Sequence, residues 1–455
     1  MKQRLFDALK HANADYVSIR IDDVDNTSLV FRGKDLDSTA TSHALGGVIT
    51  ACKNGGWGTV TFSSLDNLGE RVRDACDCAA LVAAETTQLA EVDVPEEIIS
   101  PIEFINDYRG ISFDTKLAIV NDYNKILLQS APNIQSSIAH YSEAFRKTYF
   151  ASTRGNYFME ERPRIILSLC AIARDGSLVQ RAHRSFSSSN DYNIILNRQD
   201  VAKELAQRAN DLLRAPQCPG GKFTVVLDNG MTGLFTHEAF GHLSEADFLY
   251  ENPDMRELMK IGRVMGPPEL SITDDGSLGR LLATHRVDDE GTPTSRTELI
   301  KNGVLNAHLH SLETAAKMNE PPTGNARAIS YGFAPIVRMT NTFLEPGKLK
   351  KEQLFEGIED GIYVCGGKGG MTQMEMFTFT ASYGYRIRHG KICELLRDVT
   401  LTGNVFQTLH DIEGIADDLV ILEQGGGCGK GGQSPLPVTD GGPHVRIHDV
   451  VIGGK

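Results

Sequence analysis

Two histidines five residues apart, with a glutamate directly after the first, restrict this chain more than any other feature: His237-Glu238-Ala239-Phe240-Gly241-His242. The restriction begins with the backbone. Histidines four apart would sit one turn round on a single helix face. Five apart, a regular α-helix turns the second imidazole by about 140° from the first. Two devices could bring the rings together. A π-bulge adds one residue within the turn and is frequent at functional sites. Alternatively the helix ends or distorts at Gly241, where unusual dihedrals are tolerated. The chemistry follows if the rings converge. Neutral imidazoles ligate zinc, and a catalytic site keeps one position open to water. The ion lowers the pKa of that water and polarises a scissile carbonyl. Glu238 can then take the water's proton and pass it to the leaving amine. Two satisfied core histidines are the plain alternative. A structural zinc site is another, but it would leave Glu238 without a purpose.

Spacing alone does not choose the third ligand. Glu245, three residues after His242, could face the metal or orient a ligand histidine from behind. His308 and His310 alternate with Leu309 on an expected strand, where a solvated face is an equally good reading. Cys428 lies between glycines, where the backbone can approach a site closely, and a thiolate is a strong zinc ligand.

The elements around the motif suggest an α+β protein. A short amphipathic helix is expected over 2–12. Strands follow at 16–21 and 28–31, then at 46–51 and 58–62 around the turn Asn54-Gly55-Gly56. Ser64 could cap a helix over 65–85, and residues 86–110, with Pro95 and Pro101, read as a long loop. A helix at 115–130 precedes strands at 147–152, 163–174 and 178–187, the last two joined at Asp175-Gly176; a helix over 200–213 closes this half. Pro216, Pro219, Gly220 and Gly221 punctuate a boundary between an N-terminal helix-and-sheet domain, 1–218, and a β-rich catalytic domain, 219–455, carrying one metal-binding helix. In the second part, 223–228 reads as a buried strand. Residues 377–385 alternate cleanly and lead through His389-Gly390 into a hairpin.

Composition excludes several other functions. The chain has 455 residues, a net charge of -13 and no dense Lys/Arg block, so nucleic acid and anionic membranes are poor partners. No apolar signal core or membrane-length run is present, which predicts a cytoplasmic protein. The eight cysteines lack framework spacing; Cys76 and Cys78 read as buried small residues and the thiols as reduced. The tail Gly427-Cys428-Gly429-Lys430-Gly431-Gly432 formally matches a dinucleotide loop. Pro435 and Pro437 prevent the helix that such a loop opens, and no Ser or Thr follows Gly429-Lys430 for a phosphate loop.

Several stretches together resemble the TldD/PmbA family, and its TldD branch in particular. They are His237–Asp247, Asp288-Asp289-Glu290-Gly291-Thr292-Pro293, Arg338-Met339-Thr340-Asn341-Thr342, Cys428-Gly429-Lys430-Gly431-Gly432-Gln433 and Val451-Ile452-Gly453-Gly454. They run in order from about 223 to the end; the first half resembles the family only in its arrangement of helices and strands. The resemblance implies a zinc metallopeptidase with one Zn²⁺ per active subunit, His237, His242 and Cys428 as ligands and Glu238 as catalytic glutamate. It implies an N-terminal α+β domain followed by a largely antiparallel β catalytic domain. It also implies a dimer, with itself or with a metal-free PmbA/TldE-type subunit, that cleaves unfolded peptides and takes part in maturing peptide antibiotics. An older family label, modulator of DNA gyrase, gains nothing from the acidic charge. A β-rich cleft suits such substrates, because an extended peptide can add as a strand, and the stretch 377–385 or one near it is the expected edge.

Three competitors are weaker. Dipeptidyl peptidase III shares the histidine spacing but needs a second Glu-rich ligand helix, absent here. A non-catalytic peptide-binding subunit supporting an active partner has no need of His237, Glu238, His242 and Cys428 together. A metal-storage role is weaker still, since the sequence shows only one site.

Overall fold

The computed structural model describes residues 1–83 and 89–453. Helix α1 (Lys2–Leu9) leads into the meander β1 (Tyr16–Arg32), β2 (Asp35–Lys53) and β3 (Gly56–Phe62). Then come α2 (Leu68–Leu81), β4 (Glu97–Ser100), α3 (Phe113–Gln129), β5 (Ile134–Ser152), β6 (Tyr157–Asp175), β7 (Leu178–Ser188) and α4 (Gln199–Arg214). The strands form one sheet in the order β3-β2-β1-β5-β6-β4, with β7 also on β6; β4 runs parallel to β6 and the other pairs are antiparallel. The strands expected at 16–21 and 28–31 are one. The polar stretch Asp22–Asn26 breaks the apolar alternation, but ladders to β2 and β5 on either side satisfy its backbone.

All four helices cover the same face of this sheet. Val17, Ile19, Ile21, Leu29 and Phe31 share that face of β1, the first three under α1 and α2 and the last two under α3 and α4. Such side chains contribute about 1.5–3 kcal/mol each when fully buried. On the opposite face Ser18, Arg20 and Asp22 are buried as well, and Arg20 points toward the second half. Arg20 donates to the Ser330 carbonyl at 2.8 Å and pairs with Asp289 at 3.2 Å. Arg162 reaches the same carboxylate at 2.9 Å. Burial would raise the Asp289 pKa, but Arg20 and Arg162 hold it well below the carboxylate range.

Some local expectations need correction. Ser64 does not cap α2; its hydroxyl bonds Asp66, and Asn67 in a left-handed conformation (φ 55) precedes the helix. Positions 84 and 85 of the expected helix, residues 86–88 of the expected loop and Gly454 of the closing motif lie outside the described residues. The rest of the expected loop includes β4, held by pairing with β6 and not by local propensity. Cys76 is buried, but Cys78, on another face of α2, is exposed.

The second half is β-rich. Strand β8 (Gly221–Leu227) lies between the parallel strand Asp360–Gln373 and the antiparallel strand Val445–Gly453. The pairings continue through Thr400–Asn404 and Met376–Arg388 back to Asp360–Gln373, so five strands close a ring. Lys391–Leu396 extends it as the expected hairpin. A six-stranded sheet containing Ile272–Asp275 and Asn341–Leu344 packs nearby. One apolar core joins Val225, Leu227, Phe235, Phe240, Phe377 and Phe379. The architecture is α+β, a helix-covered sheet followed by a largely antiparallel β region that carries the histidine helix.

Candidate metal centre

The site is built where β8 ends. Asp228 accepts from Met231 N at 2.8 Å, capping α5 (Asn229–Phe235), and from Gly366 N at 2.9 Å, so one carboxylate ties the helix start to strand Asp360–Gln373. The helix then widens into a π-helical turn, Thr236–Gly241, and tightens into a 3₁₀ turn, His242–Ser244. The π turn absorbs the fifth residue of the spacing. It brings the two imidazoles to a centroid separation of 5.1 Å at 81°. Gly241 keeps ordinary right-handed dihedrals (φ -56, ψ -48), so it is not needed for an unusual backbone shape. What it supplies is space: a Cβ there would stand 2.1 Å from Met339 Sδ.

Cys428 arrives from the far end of the chain. Strands Cys428–Lys430 and Gln433–Leu436 form a hairpin across Gly431-Gly432, both at positive φ (59 and 75), as a type I′ turn requires. Cys428 Sγ lies 3.0 Å from His242 Nε2. One ligand atom from each of His237, His242 and Cys428 falls within 4.8 Å of the others. Two imidazoles and a thiol at this separation suit a zinc-class ion. His237 is buried, and that burial together with the neighbouring His242 pushes it down to about 3, so its ring is neutral, the form that ligates. Among the described residues, no partner claims its buried Nδ1. Against its burial, Glu245 and Cys428 push His242 up to about 10. A cation at that ring nitrogen displaces its proton, so metal uptake releases protons.

Glu245 stands behind His242, away from Cys428. Its Oε2 is 3.0 Å from His242 Nδ1 and 2.9 Å from Lys430 Nζ, and its Oε1 accepts from Met339 N at 3.3 Å. Burial opposes ionisation here, but Lys430 and His242 pull Glu245 down to about 2. Of the two roles open to it in the sequence, the geometry matches orienting the histidine. Glu245→Gln is expected to weaken metal binding about 10–100-fold. Competition against a chromophoric chelator measures this; an unchanged affinity would remove Glu245 from the site.

Glu238 is about one-fifth exposed, with Oε2 3.8 Å from His242 Nε2. Its backbone carbonyl accepts from Thr372 Oγ1 at 2.6 Å. Burial raises its pKa, Glu245 adds to that and His242 opposes it. A carboxylate raised toward neutrality is a better proton acceptor.

The sequence reading missed three neighbours. Lys430 bonds Glu245, Asp247 Oδ1 at 2.6 Å and the Val337 carbonyl at 3.0 Å. It lies two residues from Cys428 on a strand and so shares its face, a signal the sequence did carry. Met339 packs against Gly241, within a stretch singled out only for its family resemblance. Asp440 is pushed up to about 7 by burial and by Glu238; nothing in the sequence pointed to it. His308 and His310 do not join the centre. They meet Glu320 instead and are buried, which overturns the solvated-face reading. A cavity of about 580 Å³ opens between the first sheet and residues 277–289. None of the three candidate ligands lines it, although Leu436 and Pro437, next to the Cys428 hairpin, do.

Comparison with known proteins places the chain. Models of the PmbA/TldA metallopeptidase family match domain 1 at residues 17–83, the central domain at 106–213 and the C-terminal domain at 220–454. The chain belongs to the PmbA/TldA metallopeptidase family. Membership makes it a peptidase by class. A metalloprotease of Synechocystis is 42% identical over 444 residues, covering 97% of this chain and 96% of the relative. A zinc metalloprotease TldD homolog of Saccharolobus solfataricus is 33% identical over 342 residues, covering 74% and 76%. The solved structure of TldE from Thermococcus kodakarensis shares the fold at a TM-score of 0.77 and 17% identity, covering the whole of both chains. The family's domain 1 and central domain both contribute strands to the single first sheet described above. Among the described residues, no helix is long and apolar enough to cross a membrane.

Proposed function

We propose that this PmbA/TldA family member is a zinc-dependent peptidase acting on unfolded or extended peptides. His237, His242 and Cys428 hold one zinc per active subunit, and Glu238 is the base. The observation that carries this reading is the meeting of the three donor groups with Glu238 alongside. When bound, zinc supplies Lewis acidity toward the scissile carbonyl and the attacking water. Glu238 accepts a proton from that water and delivers it to the leaving amine. Thr372 steadies the Glu238 backbone, and Glu245, held by Lys430, fixes the tautomer and orientation of His242. The test is hydrolysis of an unfolded peptide by the purified chain, by the chelated chain, and after zinc is restored. Activity lost and regained with zinc supports the reading; activity indifferent to chelation overturns it.

The docking edge differs from the one expected. Met376–Arg388 is paired on both sides, with Asp360–Gln373 on one and with Thr400–Asn404 and Lys391–Leu396 on the other, so 377–385 offers no free edge. Beyond Val364, strand Asp360–Gln373 has no strand on its other side among the described residues, and Thr372 there touches Glu238. A peptide adding along this edge would pass the site with its main chain paired and little demand on its sequence. N-methylation of single substrate amides is expected to lower kcat/KM about 2–10-fold at the paired positions. Equal rates at every position would discard the edge.

The same reading includes a dimer, with itself or with a metal-free PmbA/TldE-type subunit, a role in peptide maturation, a cytoplasmic location and a physical division of the chain into 1–218 and 219–455. Family membership and the TldE-like fold support the pairing.

A further inference from the structure

His308 and His310 point from the same side of an extended segment, and Leu309 between them points into the core. The segment pairs directly with the turn behind the metal centre: Leu309 N donates to the Ser244 carbonyl at 2.8 Å, and Ala246 N donates to the Leu309 carbonyl at 3.0 Å. Just beyond lies the short helix Leu312–Met318, begun by a Ser311/Thr314 capping box and ended by Asn319 in a left-handed conformation (φ 55). That turn aims Glu320 back at both rings. Its carboxylate is 2.9 Å from His308 Nδ1 and 3.1 Å from His310 Nε2.

The outer nitrogens are also fixed. His308 Nε2 lies 2.8 Å from the Met259 carbonyl, and His310 Nδ1 lies 3.2 Å from Thr314 Oγ1. A carbonyl only accepts, so His308 Nε2 carries the proton and the neutral ring turns its Nδ1 lone pair toward Glu320. A lone pair facing a carboxylate is repulsive. A cation between them removes that clash, in a pocket where His308 is 2% exposed. With a cation between the rings and the carboxylate, both imidazoles are neutral and every nitrogen is satisfied. One ligand atom from each residue lies within 4.8 Å of the others. Metal-bound histidines characteristically donate their other N–H to a carbonyl or similar acceptor.

We propose that His308, His310 and Glu320 form a second metal site, for a divalent transition ion of the zinc, cobalt or nickel class. Two nitrogens and one oxygen argue against calcium or magnesium, which take oxygen shells. Glu320, with a side chain 19% exposed, leaves a route for the ion and for a completing water. The role is structural. The ion ties 308–310 to Glu320 across the short helix and stiffens the strand against which Ser244, Glu245 and Ala246 are laid. It stands apart from the His237 centre and does not depend on that centre being catalytic.

Cobalt(II) distinguishes the two sites, because only a thiolate ligand adds an intense near-ultraviolet charge-transfer band. The chelated full-length chain is loaded with cobalt, freed of excess and assayed for metal content and absorption. The wild type is expected to hold two equivalents. Cys428→Ser should abolish the charge-transfer band while cobalt d–d absorption persists. Glu320→Gln should keep the charge-transfer band and lose one equivalent. Should Glu320→Gln not fold, the wild type still decides: two equivalents with one thiolate band support the second site. A single equivalent that carries the thiolate band overturns it, as does no bound cobalt. One equivalent without the band supports the second site if His237→Ala keeps it and overturns it if His237→Ala loses it; either way it counts against Cys428 as a ligand, so the two readings fail separately.

Discussion

Glu238→Gln is expected to keep its metal and lose about 10²–10⁴-fold in peptide hydrolysis, the range for removing a positioned general base. The substitution preserves shape and leaves the candidate ligands, the Thr372 contact to the Glu238 carbonyl and the π turn in place. It removes only the group that accepts a proton. Metal analysis, circular dichroism and kcat/KM on one unfolded peptide should therefore separate cleanly, with the first two unchanged and the third reduced. Equal activity in the two proteins would end the role assigned to Glu238. Loss of metal together with activity would mean that Glu238 supports binding and not proton transfer.

The second large effect concerns stability. Asp289→Asn is expected to cost about 3–5 kcal/mol, the scale for removing one partner of a buried ion pair. Asp289 accepts from Arg162 at 2.9 Å and from Ala328 N at 2.8 Å, and it lies 3.2 Å from Arg20. An amide would leave two guanidinium groups at the junction of the two halves facing a neutral neighbour. The pH dependence has a definite sign. Asp289 has a folded pKa below its unfolded one, so its contribution is complete above the unfolded value, near 3.9, and is lost as pH falls through the lower folded value. The Asn variant should thus be less stable at neutral pH and lose less on acidification below about pH 4. Urea denaturation at pH 7 and pH 3.5 tests both parts; equal midpoints at pH 7 would show that the junction does not depend on this carboxylate. Exposed pairs such as Lys203–Asp200, at 2.9 Å, are a useful control and should change stability by no more than about 1 kcal/mol.

The sequence exposed the site better than its surroundings. The five-residue spacing already required a π turn or a break at Gly241, because helical geometry leaves few other ways to bring the rings together. The π turn is present; the glycine serves Met339, a contact no local rule could supply. Cys428 stood out through its glycine-rich setting, yet only the family resemblance preferred it to His308, His310 and Glu245. Lys430 was within reach, since alternation on a strand puts it on the face of Cys428. Long-range pairing was not legible. The polar centre of β1 hid a single 17-residue strand, and the alternation of 377–385 could not reveal that both of its edges were taken. The solvated reading of His308 and His310 failed for the same reason: the residues that bury them, Met259 and Glu320, come from other elements.

The hairpin that carries Cys428 also has a consequence in time. His242 and Cys428 are 186 residues apart. At 5–20 residues per second, a ribosome delivers the thiol about 10–40 s after the histidine. Throughout that interval the part of the growing chain that has not yet folded belongs to the class of substrate proposed for the finished protein. With Cys428 as the proposed third donor, the centre stays incomplete until the 186 residues after His242 have been made, so the order of synthesis would act as a safety catch on the proposed activity.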